Sequence, residues 1–168
     1  MAELLVFTFD SLDGAREALG AARAHEVLHY AWIDDVALVE KHGSGLVTVH
    51  SPHGSPARGA LWGGLVGMLL FWWFPPAWFL GGWLGGVGGG AIIGEAMKRS
   101  GLDQQLVHEV QVALAPGTSA LLLIGERFDA DEMERAIAES HPWRVIRHTL
   151  SDETMAKLTN ELGAHGDS

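Results

Sequence analysis

Residues 59–94 read GALWGGLVGMLLFWWFPPAWFLGGWLGGVGGGAIIG, a stretch without one charged side chain in a protein of net charge −10. Its glycines are spaced rather than scattered. Gly59, Gly63 and Gly67 recur every four residues, and Gly82, Gly86, Gly90 and Gly94 form a second such series, with Gly81, Gly85 and Gly89 one residue out of phase. At about 3.6 residues per turn a four-residue spacing lays the glycines along one helix face, where missing side chains admit a second helix at close range. Between the series, Phe71, Trp72, Trp73, Phe74, Trp78 and Phe79 surround Pro75-Pro76, a pair that cannot continue a helix. The stretch is expected to form a helical hairpin with an aromatic tip.

Outside it the chain is ordinary. Residues 1–58 carry eight acids and four bases, and residues 95–168 carry thirteen and seven, so all the charge lies in the flanks. Together the flanks are long enough for one compact domain. An acidic chain of this kind lacks the basic footprint of a nucleic-acid binder, and that class is excluded. With no cysteine there is neither a disulfide framework nor a thiolate metal site. Met1-Ala2-Glu3-Leu4-Leu5 has no basic region and does not read as a secretory signal, which places the flanks in the cytoplasm as an expectation.

Each flank has strand and helix signals. Leu4–Phe9 reads as a strand, Asp10 or Ser11 as the cap of a helix reaching Ala24, and Val36–Lys41 and Leu46–His50 as a β-hairpin around His42–Gly45. Leu102–Leu114 has helical spacing, and Ser119–Gly125 and Trp143–Leu150 read as strands. Between those strands lies a helix capped by Asp129 with Glu132 at the capping-box position, and Ser151 caps a last helix. Phe9-Asp10 with Arg16 is echoed by Phe128-Asp129 with Arg135. Two such βαβ units predict an α+β, ferredoxin-like βαββαβ sandwich, both crossover helices on one face of a four- or five-stranded sheet. Residues 1–57 supply its first half, 100–168 its second, and 58–99 the inserted glycine-zipper hairpin.

The chain resembles a bacterial family of membrane proteins of unknown function that carry a glycine-zipper hairpin between two α/β halves. The residues behind the resemblance are Val6–Asp10, the glycine series, Leu114-Ala115-Pro116-Gly117-Thr118-Ser119-Ala120-Leu121 and Leu150-Ser151. It implies a membrane location and carries no activity.

His25-Glu26-Val27-Leu28-His29 matches H-E-x-x-H, which on a helix sets two imidazoles on one face as zinc ligands with the glutamate as base. It falls where the first helix ends, and no third ligand is evident. His25 and His29 are therefore expected to be helix-end residues, weak metal candidates at most. His42, His50 and His53 cluster near the second turn and could sense pH near 6. Asp34-Asp35 and the acids Asp129, Asp131, Glu132 and Glu134 suit a strand start and a helix first turn, and Gly85–Gly90 lacks the Lys-Ser/Thr of a phosphate loop. No catalytic residue or cofactor is expected.

Trp72, Trp73 and Trp78 at the tip suit a far membrane interface, and Arg58, Lys98 and Arg99 mark the near one as cytoplasmic. The first arm, 59–74, is short: about 24 Å of helix against roughly 30 Å of hydrocarbon. It crosses with local thinning, enters one leaflet, or packs inside a soluble oligomer. The expected function is non-enzymatic: a homo-oligomeric membrane-associated or scaffold protein at the inner membrane, its α+β domain in the cytoplasm, partnered by itself and the bilayer. A cytoplasmic soluble oligomer is the alternative location. An oligomeric pore is the alternative function, and a zinc metallopeptidase through HEVLH the third.

Overall fold

A computed structural model of the protein describes residues 2–24, 35–50, 102–125 and 129–156. They form β1 (Ala2–Phe9), α1 (Gly14–Ala24), β2 (Asp35–Lys41), β3 (Val47–His50), α2 (Gln104–Ala113), β4 (Thr118–Gly125), α3 (Ala130–Ala138) and β5 (Arg144–Leu150), followed by a helical turn at 152–156. The fold is mixed α+β around one five-stranded sheet of order β3-β2-β4-β1-β5, each neighbouring pair antiparallel.

The two flanks interleave. β4 lies between β1 and β2, paired from Glu3↔Gly125 to Phe9↔Ser119 on one side and from Asp35↔Ile124 to Lys41↔Thr118 on the other. β1 and β2 are therefore parallel, separated by a strand from the far side of the glycine-rich stretch. The register gathers Phe9, Lys41, Thr118 and Arg144 at one end of the sheet, and Ala2, Asp35, Gly125 and Leu150 at the other.

Both sheet faces are covered, which explains the unbroken apolar runs of the central strands. Leu5, Phe7, Phe9, Leu38, Leu121 and Leu123 pack with Ala15, Ala18, Leu19 and Ala22 of α1 and with Met133 and Ile137 of α3. On the opposite face Leu4, Val6, Val39, Leu122, Ile124 and Ile146 pack with Leu106, Val107, Val110 and Ala113 of α2, and Met155 joins them from the last helical turn. Helices α1 and α3 thus pack on one face of the sheet, and α2 and the final turn close the other. β5 is an edge strand, and its burial alternates: Ile146 and Leu150 are inside, while Val145, Arg147 and Thr149 are exposed.

The start of α1 differs from expectation. Neither Asp10 nor Ser11 caps it; the helix begins at Gly14, and its Ala15 amide donates to the hydroxyl of Ser119, 3.0 Å away. The chain must turn tightly here, since a Cβ on Gly14 would sit 2.5 Å from that of Phe9. α3 begins as expected, Asp129 Oδ1 accepting from the amides of Asp131 and Glu132, and Ser151 Oγ accepts from the amide of Thr154.

Candidate functional site

A polar cluster lies between the first turn of α1 and the β2–β3 hairpin. Strand alternation puts Glu40 on the face of Val36 and Leu38, under α1, and its side chain is only 11% exposed. A buried carboxylate is costly unless it is paired. Arg16, in the first turn of α1, provides the pairing: Nη2 donates to Glu40 Oε1, and Nη1 donates to Asp13 Oδ1 at 3.3 Å. The second oxygen, Oε2, lies 4.0 Å from Nε2 of His50. Thr48 is the register partner of Glu40, and His50 of Leu38, so both share Glu40's face. Nε2 of His42 lies 3.0 Å from the Thr48 hydroxyl.

This arrangement sets a guanidinium–carboxylate pair beside the two imidazoles of the β2–β3 hairpin. It offers no activated nucleophile. Among the described residues no group of three His, Asp or Glu side chains is placed to hold a metal ion.

The turn from α2 into β4 is the second organised feature. Gly117 has φ of 84°, a left-handed conformation that favours glycine. Its amide donates to the carbonyl of Lys41 at 2.7 Å, and Lys41 Nζ donates to the carbonyl of Leu114 at 3.0 Å. The Thr118 hydroxyl donates to the carbonyl of Ala115. The buried Ser119 hydroxyl donates to the carbonyl of Ser11 at 2.6 Å while accepting from Ala15. The Pro-Gly-x-Ser segment is thus the point where the second flank grips β2 and α1 of the first.

On β5, Arg147 bridges two elements: Nη2 donates to Glu3 Oε1 of β1, and Nη1 to Asp131 Oδ1 of α3, each at 3.0 Å. The hydrogen bond to Glu3 is the main reason its guanidinium stays protonated beyond even the usual arginine range, with partial desolvation opposing. Trp143 and Val145, on the same face of this edge, are 51% and 40% exposed, and Leu46 at the β2–β3 turn is 65% exposed.

Most residues singled out in the sequence lie outside the described residues: the zipper glycines Gly59, Gly63, Gly67, Gly82, Gly86, Gly90 and Gly94, the interface candidates Trp72, Trp73, Trp78, Arg58, Lys98 and Arg99, and His25, His29 and His53. Among the described residues no helix is long and apolar enough to cross a membrane. His42 and His50 are described, and the structure draws both into the Glu40 cluster through Thr48 and Glu40 themselves. Arg16, Glu40 and Ser119 were not marked as site residues by sequence reasoning. Ser119 carried a signal, lying inside the Pro-Gly-x-Ser turn, but its partners are more than a hundred residues distant.

Residues 56–163 match the family described as "Protein of unknown function (DUF1269)", and the chain belongs to it. The match takes in the glycine-rich stretch and the second flank up to the helix after β5, and leaves out β1, α1, β2 and β3. No curated protein and no solved structure matches the chain.

Proposed function

We propose that this member of a family without an assigned activity is a non-enzymatic protein that assembles with copies of itself through a glycine-zipper hairpin at 58–99. The hairpin associates with the inner membrane, and the α+β domain stays on the cytoplasmic side. One observation carries the reading: between Gly59 and Gly94 there is no charge, and glycine recurs every four residues in two series. Glycine at that spacing is unfavourable for a lone helix and favourable only where another backbone approaches. The sheet supports it, because β3 before the stretch and β4 after it belong to one domain, which tethers the insertion at both ends. The domain itself is read as a ferredoxin-like sandwich. The strand order β2-β4-β1-β5 that remains without β3, with a helix after β1 and another after β4, supports that reading.

The test is a contrast between substitutions. Gly86→Leu or Gly63→Leu blocks close helix approach and lowers the subunit number, whereas Val87→Leu, off the glycine face, leaves it unchanged. Masses measured with and without detergent report assembly and the need for a bilayer substitute separately. An unchanged subunit number in both glycine variants sinks assembly through the zipper. An oligomer that never requires detergent moves the protein from the membrane to a cytoplasmic scaffold.

A further inference from the structure

The insertion leaves and rejoins the domain at described residues, and both junctions lie toward one end of the sheet. β3 runs from Val47, opposite Lys41, to His50, opposite Leu38, so the chain departs in the direction of Asp35. On its return Leu102 is already buried, in the core shared with Ala2 and Leu150. α2 then carries the chain to Leu114, whose carbonyl accepts from Lys41 Nζ at the other end of the sheet, and the Gly117 amide donates to the Lys41 carbonyl there. Leu106, Val107, Val110 and Ala113, buried along the length of α2, lay it on the sheet face, so its first residue lies about 15 Å back from its last.

We propose that the end of the sheet carrying Ala2, Gly125 and Leu150 faces the bilayer, and that the end carrying Lys41, Thr118 and Arg144 points away from it. The proposal rests on the membrane reading above and adds which surface of the domain meets the lipid. Tether length is the main argument. Arg99, the last cation of the insertion, stands three residues before Leu102, a reach of about 10 Å even for extended chain. Arg58 stands eight residues after His50, about 28 Å at most. The short rejoining tether holds the start of α2 beside the headgroups that Lys98 and Arg99 anchor, and the longer departing tether can comply. Charge order agrees. Asp103 and Asp152 are exposed at this end, and the cations Arg58, Lys98 and Arg99 stand in the chain between the domain and the lipid. The exposed apolar side chains of Leu46, Val112 and Trp143 belong to the opposite end and are held off the bilayer.

The chain has no cysteine, so single introduced cysteines carry a nitroxide label without background. Gln104→Cys and Thr149→Cys label the end assigned to the bilayer, and Val112→Cys and Ser44→Cys the opposite end; all four positions are exposed. Gln104 and Val112 are about 12 Å apart along α2, and Thr149 and Ser44 about 20 Å apart along the sheet. Full-length variants are bound to vesicles of phosphatidylethanolamine and phosphatidylglycerol that contain a nickel-chelating lipid, and the relaxation of each label by surface nickel is measured. This relaxation falls steeply with distance, so it is at least about threefold stronger at Gln104 and Thr149 than at Val112 and Ser44. Circular dichroism checks that each variant folds, and two positions at each end keep the comparison if one variant does not. Equal relaxation at the two ends, or the reverse order, in protein that floats with the vesicles overturns the orientation and leaves the membrane reading standing. A chain that does not float with the vesicles overturns both.

Discussion

Ser119 and Ala15, 104 residues apart, are joined by a 3.0 Å hydrogen bond in which the serine hydroxyl accepts from an amide in the first turn of α1. Helix first turns have amides without intrahelical partners, and α1 takes a remote side chain where most helices use a local cap. The same hydroxyl donates to the carbonyl of Ser11, so one atom secures the entry into α1 from both sides. Ser119→Ala leaves a donor and an acceptor without this partner at a fully buried position and lowers stability by about 1–3 kcal/mol. Denaturant unfolding checks this as a lower midpoint at unchanged slope, while Ser44→Ala in the exposed β2–β3 turn stays within about 0.5 kcal/mol of wild type.

Two glycines give opposite outcomes with alanine. Gly117 has φ of 84° and open space around it, so Gly117→Ala is disfavoured by backbone strain alone, by roughly 1 kcal/mol or more. Gly20 lies exposed within α1, and a methyl group there would meet nothing within 4 Å, so Gly20→Ala raises stability by about 0.5–1 kcal/mol. Thermal melts of the two variants move in opposite directions.

Removing residues 58–98 and joining the ends through a short flexible linker leaves a domain that unfolds in one cooperative transition. The pairings that build the sheet, β1 with β4 and β5 and β2 with β4, lie outside the deleted residues. Calorimetry checks it. Two separate transitions, or none, would show that the flanks are not one folding unit.

Zinc binding tests the HEVLH segment. Protein purified without added metal is expected to hold no stoichiometric zinc and to show no peptidase activity. Metal analysis that finds one tightly held equivalent, lost together with activity in Glu26→Ala, reverses that expectation.

The described strands and helices were legible in the sequence because their signals are local: apolar runs for β1 and β4, alternation in β5, Asp129 as a cap. The boundaries are less exact: Leu46 and Trp143 lie one residue outside β3 and β5, and α1 starts at Gly14 rather than after a cap at Asp10 or Ser11. What could not be read were contacts set by topology. Arg16 and Arg135 stand alike in sequence, each six residues after a Phe-Asp pair, yet Arg16 reaches Glu40 on a strand while Arg135 Nε donates to the carbonyl of Asp131 in its own helix. Strand register decides which arginine meets a carboxylate, and no local pattern encodes it. The same holds for Ser119, whose turn was recognisable and whose partners were not.

The interleaving of β1 and β4 governs the order of events at the ribosome. β1 has no neighbour among the described strands until Thr118–Gly125 has been synthesised, 109 residues after Phe9. At roughly 5–20 residues per second that is a delay on the order of ten seconds. Throughout it Leu4–Phe9 emerges as an apolar segment without its sheet, and the uncharged glycine-rich stretch emerges before its completing strand. Nascent-chain handling is therefore built into this topology: whatever first receives Gly59–Gly94, be it a chaperone or the insertion machinery, meets a chain whose domain has not yet closed.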